Sequence, residues 1–187
     1  MVIITIGGMP GSGKSTVGRM IAVRLGIPFF SMGDVRREFA NEHGMTLAEL
    51  NARGENDPAS DKMVDEYQSK LPETTPSFVI DSRLGYHFLP QSFKVYLKVD
   101  SRAAAERIYA MKRHEEHWRS IEDGVRSVEE RAASDLRRYK KYYGLNPYDE
   151  KNFDLVIDTT HMKPLAVLHA VRKYLKERGI VVPRDTD

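Results

Sequence analysis

Gly8-Met9-Pro10-Gly11-Ser12-Gly13-Lys14-Ser15 carries the strongest chemical signal in the chain. The spacing G-x-x-x-x-G-K-S suits a nucleoside triphosphate. Its glycines let successive backbone N–H groups turn into one concavity around the phosphates, the lysine adds a point charge, and the serine hydroxyl can ligate Mg²⁺. The expectation is therefore that Gly8, Met9, Pro10, Gly11, Ser12, Gly13, Lys14 and Ser15 hold the phosphates of a nucleoside triphosphate. Mg²⁺ would sit on Ser15 and on an acid at the end of another strand, for which Asp34 and Asp81 are the candidates. A helix N-cap is the plain alternative for Asp34.

Arginines form the second constellation: Arg36 and Arg37 just inside a helix, Arg83 two residues after Asp81, and Arg131, Arg137 and Arg138 on a long helix. A guanidinium grips phosphate bidentately, and bringing two phosphate-bearing substrates together takes several of them. At 100° per residue, Asp135 falls about 40° and Arg138 about −20° from Arg131. Ala132, Leu136, Tyr139 and Tyr143 centre near 110°, which the spacing marks as the buried side. Arg131, Asp135 and Arg138 thus form a polar stripe where a cleft wall would be, with a salt-bridge ladder as the plain alternative. Arg137, Lys140 and Lys141 point to solvent.

These groups need a frame that gathers them, and the hydrophobic pattern supplies one. Val2–Ile6, Phe78–Asp81, Phe93–Val99 and Phe153–Asp158 read as strands buried on both faces, with a shorter candidate at Pro28–Ser31. Helical periodicity fills the gaps. Asp57-Pro58 and the Thr46/Glu49 pair open helices, and Gly144 followed by Pro147 closes the long one. Strands alternating with helices imply a three-layer α/β domain around a parallel sheet, whose strand ends face the phosphate loop. One domain fits the 187 residues. With 29 basic and 27 acidic residues the net charge is only +2, so anion binding must come from local clusters. There is no cysteine, hence no disulfide framework or thiolate chemistry, and a reducing cytoplasm is the default. No apolar run has the length of a membrane span.

The phosphate loop, Ser31-Met32-Gly33-Asp34 with Arg37, Asp81-Ser82-Arg83, and the R-x-x-x-D-x-x-R helix together resemble the nucleoside monophosphate kinases. Gly44–Asn51, Glu55–Pro58 and Arg138–Gly144 bring the resemblance closest to the short, archaeal-like cytidylate kinases. The resemblance implies a five-stranded parallel sheet with a helical monophosphate-binding insert near residues 33–72 and a lid near 112–130. It implies that Gly8–Ser15 and Thr16 hold ATP, that Arg37 and Arg83 grip the acceptor phosphate and that Arg131 and Arg138 bridge donor and acceptor. Asp135 would meet the acceptor's ribose or orient those arginines. Lys14, Arg83, Arg131 and Arg138 would carry catalysis, and Asp81 would border the acceptor. Two departures stand out: Ser82 replaces the family's usual glycine, and 112–126 lacks the expected lid text. The lid arginine for ATP is therefore open among Arg107, Arg113 and Arg119. His114 and His117 have metal-pair spacing but no further ligands.

The expected function is transfer of the ATP γ-phosphoryl group to CMP or dCMP by a monomer that binds small nucleotides and neither membrane nor nucleic acid. Three alternatives use the same residues. An AMP or UMP kinase would differ only in its base pocket. A kinase for a small hydroxyl substrate would need Asp34 or Asp81 as base. An ATP-dependent nucleic-acid-binding protein would use Lys140, Lys141, Tyr139, Tyr142 and Tyr143.

Overall fold

The computed structural model describes residues 1–111 and 118–183. The chain runs β1 (Ile3–Gly8), α1 (Lys14–Leu25), β2 (Phe29–Ser31), α2 (Met32–Glu42), α3 (Leu47–Gly54), α4 (Ala59–Thr74), β3 (Phe78–Asp81) and α5 (Gly85–Phe88). It continues through β4 (Phe93–Lys98), α6 (Ser101–Ala110), α7 (Ile121–Tyr143), a 3₁₀ turn (Glu150–Asn152), β5 (Leu155–Asp158) and α8 (Pro164–Glu177). All five strands are parallel, in the order β2-β3-β1-β4-β5. The expected three-layer α/β domain is what forms.

The central strand β1 is buried at every position, so its residues feed both faces. Ile4 and Ile6 join Val79, Val95 and Leu97 under Val17 and Ile21 of α1 and Val171 and Leu175 of α8. Ile3, Phe78 and Ile80 meet Val64 and Leu71 of α4 on the other face. Register then sets the chemistry: Ile6 and Ser31 both pair with Asp81, which puts the ends of β1, β2 and β3 side by side.

Between β2 and β3 the chain leaves the sheet for three helices, α2 to α4, over much of the span expected for an insert. Local signals place them well. Thr46 and Glu49 form a complete capping box at α3. Asp57 Oδ1 accepts from Ala59 N at 3.0 Å, so the Asp-Pro signal does open α4, with Pro58 at the cap. Gly144 ends α7 in the left-handed conformation at φ 70°. Strand ends differ by one or two residues from the sequence reading, and β5 begins at Leu155 rather than Phe153.

One helix face differs from its wheel. Leu136, expected to be buried, is 36% exposed, whereas Asp135 and Arg138 are buried at 8% and 1%. The reason lies in the insert. Helices α3 and α4 press against the polar stripe of α7, and ion pairs rather than apolar contacts fill that interface. The segment 112–117, which contains Arg113, His114, His117 and the start of the expected lid, lies outside the described residues. No helix among the described residues is long and apolar enough to cross a membrane.

Candidate active site

The phosphate loop links β1 to α1, and its shape depends on glycine at particular points. Gly8 sits at φ 136°, and a Cβ there would lie 2.2 Å from the Leu97 carbonyl oxygen. Gly11 sits at φ 75°, with the Ala104 carbonyl oxygen 2.7 Å from where its Cβ would be. Gly13 caps α1 without any side-chain acceptor, so the first-turn N–H groups keep their polarity for an anion. Lys14 Nζ donates to Met9 O at 2.7 Å and stays inside the loop. Burial, reinforced by the positive charge of Arg83, pulls its amine down to about 7. A polyphosphate would return that proton.

A cavity of about 280 Å³ opens over this loop, lined by Gly11 to Val17, Gly33, Arg37, Asp81, Arg83, Arg107 and Arg131. Ile108, Met111, Met162, Pro164 and Val167 also line it, giving apolar surface of the kind a purine packs against. Ser15 Oγ donates to Asp81 Oδ2 within the cavity. A hydroxyl and a carboxylate so close form a hard oxygen donor set that fits Mg²⁺. Asp34 is elsewhere: it lies in the first turn of α2, pairs with Arg19 and Arg37, and lines neither cavity. The N-cap of α2 is Ser31, which accepts from Asp34 N at 3.2 Å.

A second, smaller cavity lies beneath the insert, lined by Met32, Arg36, Leu47, Asn51, Val64, Asp65, Ser82, Leu84, Asp135 and Tyr139. Gly33, Arg37, Asp81, Arg83 and Arg131 line both cavities. The two spaces thus meet at a wall of three guanidinium groups and one carboxylate.

Asp135 organises that wall. It accepts from Arg83 Nε at 2.7 Å and from Tyr148 OH at 2.9 Å, and it also pairs with Arg138. Burial alone would raise its pKa, but Arg83 and Arg138 outweigh burial and hold the carboxyl at about 2. Arg83 also donates to Gly8 O at 2.9 Å, which ties the β3 end to the phosphate loop. Arg138 occupies a different place from the cleft wall expected of it. It lines neither cavity and is held by Asp135 and by Asp61 of α4, at 2.7 Å to Oδ2. Arg137 pairs with Glu55 and Glu130 on the surface.

Several site residues carried no sequence signal. Asp61 receives both Arg36 and Arg138, and Asn51 accepts from Arg36 Nε at 3.0 Å. Arg107 donates to Thr159 Oγ1 at 3.1 Å and lines the phosphate-loop cavity, whereas Arg119 is exposed and lines neither. The aromatics that a nucleic-acid platform would need are committed elsewhere. Tyr139 is buried, Tyr142 OH donates to Gly54 O at 2.7 Å and Tyr143 OH to Asp65 at 2.6 Å.

Comparison with known proteins agrees with this geometry. The profile of the cytidylate kinase-like family matches residues 3–161. A cytidylate kinase of Methanocella arvoryzae is 35% identical over 176 residues, covering 94% of this chain and 98% of that protein. One of Methanothrix thermoacetophila is 37% identical over 158 residues, covering 84% and 88%. Among solved structures, a shikimate kinase from Bacteroides thetaiotaomicron superposes with a TM-score of 0.64 at 15% identity, over 94% of this chain and 98% of that one. That likeness speaks for the fold alone.

Proposed function

The chain belongs to the cytidylate kinase-like family, and from that premise we propose that it transfers the γ-phosphoryl group of ATP to a phosphate oxygen of CMP or dCMP, giving CDP or dCDP. The observation that carries this reading is the shared wall: Arg37, Asp81, Arg83 and Arg131 border both cavities. ATP fits the larger cavity, with its phosphates on Gly8–Thr16, and the monophosphate fits the one beneath the insert. Their phosphates then meet where the guanidinium groups converge.

The acceptor oxygen is already ionised near neutral pH, so the reaction needs no general base. The oxygen attacks the γ-phosphorus as the bond to the β-γ bridging oxygen breaks, and ADP leaves with the electron pair. Lys14, the loop N–H groups and Arg83 and Arg131 neutralise charge spread over the transferring group, and Arg37 grips the acceptor phosphate. Mg²⁺, held by Ser15 and Asp81, would screen the β- and γ-oxygens. Asp135 and Arg138 act as positioning residues, aiming Arg83 and fixing the insert to α7. On this reading the kinase acts as a monomer, and a cysteine-free sequence suits a reducing cytoplasm.

A coupled assay of ADP release against CMP, dCMP, UMP, AMP and GMP tests this. CMP or dCMP should give the highest kcat/KM. A tenfold preference for AMP, about 1.4 kcal/mol, would overturn the base assignment. Turnover stimulated by a nucleoside but not by its monophosphate would overturn the reaction class and favour a hydroxyl acceptor.

A further inference from the structure

Helix α4 carries two buried carboxylates one turn apart, and they are used differently. Asp61, 1% exposed, takes two guanidinium groups, from Arg36 and Arg138. Asp65, 6% exposed, has only neutral partners: Tyr143 OH at 2.6 Å and Gln68 Nε2 at 2.7 Å. A buried acid with no cation bonded to it is costly; burial outweighs the hydrogen bonds and the more distant charge of Arg36 and lifts this one to about 6. Stability alone would favour an amide or an apolar residue there, which marks Asp65 as a candidate for a functional role.

The position of Asp65 shows what kind of ligand. It lines the cavity beneath the insert but not the one over the phosphate loop, and its hydrogen-bond partners, Tyr143 and Gln68, are not residues of the shared phosphate wall. Leu47, Val64, Leu84 and Tyr139 line the same cavity, giving apolar surfaces for a flat ring. Orientation is set one step further out. Ser82 Oγ donates to Gln68 Oε1 at 2.6 Å, which turns the Gln68 amide N–H₂ toward Asp65. Both neighbours of Asp65 therefore donate, and the carboxylate remains an acceptor with two lone-pair sites to spare.

We propose that Asp65 reads the base of the acceptor nucleotide by accepting a hydrogen bond from its exocyclic amino group, so that it selects cytosine over uracil. Uracil would place a carbonyl oxygen against a buried carboxylate, with no donor between them. The inference rests on the kinase reading and names its specificity residue. Ser82 and Gln68 are positioning residues for it.

Two measurements decide it, both by ADP release at saturating ATP and pH 8. The first uses the native protein with CMP, UMP and the monophosphate of pyrimidin-2-one riboside, which lacks the amino group. kcat/KM should fall at least tenfold for the last two relative to CMP, because a site built around a hydrogen bond rejects ligands that lack it. An analogue as good as CMP overturns the proposal whatever any variant does. The second uses Asp65→Asn, whose amide can donate to uracil O4. Its CMP-to-UMP ratio should drop at least tenfold, with UMP improving in absolute terms. A folded variant, checked by its melt, that keeps the native ratio also overturns the proposal. Failure of CMP itself to support turnover would instead refute the kinase reading, so the two failures are distinguishable.

Discussion

At the phosphate loop the charged groups face open space; between the insert and α7 they face one another. Lys14, Arg83 and Arg131 border a cavity, and burial with mutual repulsion has already pulled the Lys14 amine down. Arg36, Arg138, Asp61 and Asp135 instead close on each other as a buried network. The same residue types therefore do opposite work. The first group is held ready for an anion that comes and goes, and the second has spent its charge on holding the fold. Arginine count alone separates them poorly; what separates them is whether the guanidinium lines the phosphate-loop cavity, as Arg83 does even while paired with Asp135, or is enclosed between helices, as Arg138 is.

The contrast is tested most severely by breaking each side. Arg138→Ala leaves Asp61 and Asp135 buried and short of a partner, and should cost about 3–5 kcal/mol in stability by urea titration. Arg137→Ala, next in sequence but on the surface, should stay within about 0.5 kcal/mol and within a few-fold in kcat/KM. If the neighbours lose equally, the division is wrong.

On the open side the signs reverse. Lys14→Met should lower kcat roughly 10²–10³-fold while the melting temperature holds or rises, because the variant removes a buried cation whose one bond, to Met9 O, does not offset its burial until phosphate arrives. A matching loss of stability would put Lys14 among the structural charges.

Asp65 should behave like the open group although it lies in the insert. Its folded pKa of about 6 stands above the ordinary aspartate value of 3.8. Between those values the native state holds a proton that the unfolded chain has released, so stability falls as pH rises through that window. Asp65→Asn should therefore gain stability over the native protein between pH 5 and pH 8, on the order of 1–2 kcal/mol. A gain that does not depend on pH would mean that the carboxylate is not strained by burial.

The smallest effect is a proton. With Lys14 half ionised near pH 7, ATP binding should take up about half a proton more in the native protein than in Lys14→Met. Calorimetry in buffers of different ionisation heat reads this difference directly, and no difference would place the lysine fully charged beforehand.

The open side was the readable one. Gly8 to Ser15 specify their own conformation locally, and strand ends in a parallel sheet bring Asp81 and Arg83 to them by a general rule. The capping box at Thr46 and the stop at Gly144 were likewise local. The closed side was not readable, because Asp61 and Arg138 are 77 residues apart and pair only once α4 has docked on α7. Without that contact the wheel of α7 ranks Leu136 above Asp135 and Arg138 for burial, and the opposite occurs. Asp34 erred for a related reason. Its position after a strand suggested a metal ligand, but Arg19 and Arg37 were within reach. Asp65 gave no signal, since one acid among several on a helix looks like a solvated face.

The docking of α4 on α7 through Asp61 also bears on how the molecule opens. Tyr142 and Lys141 add hydrogen bonds from α7 to Gly54 and Glu55 at the end of α3, at 2.7 Å and 2.6 Å. Helices distant in sequence are thereby joined into one cooperative unit for local unfolding, separate from the sheet. Amide hydrogens of α3, α4 and the second half of α7 should exchange with a common opening free energy, below that of β1. In Arg138→Ala the insert helices should open on their own while α7 stays protected, dividing one exchange class into two.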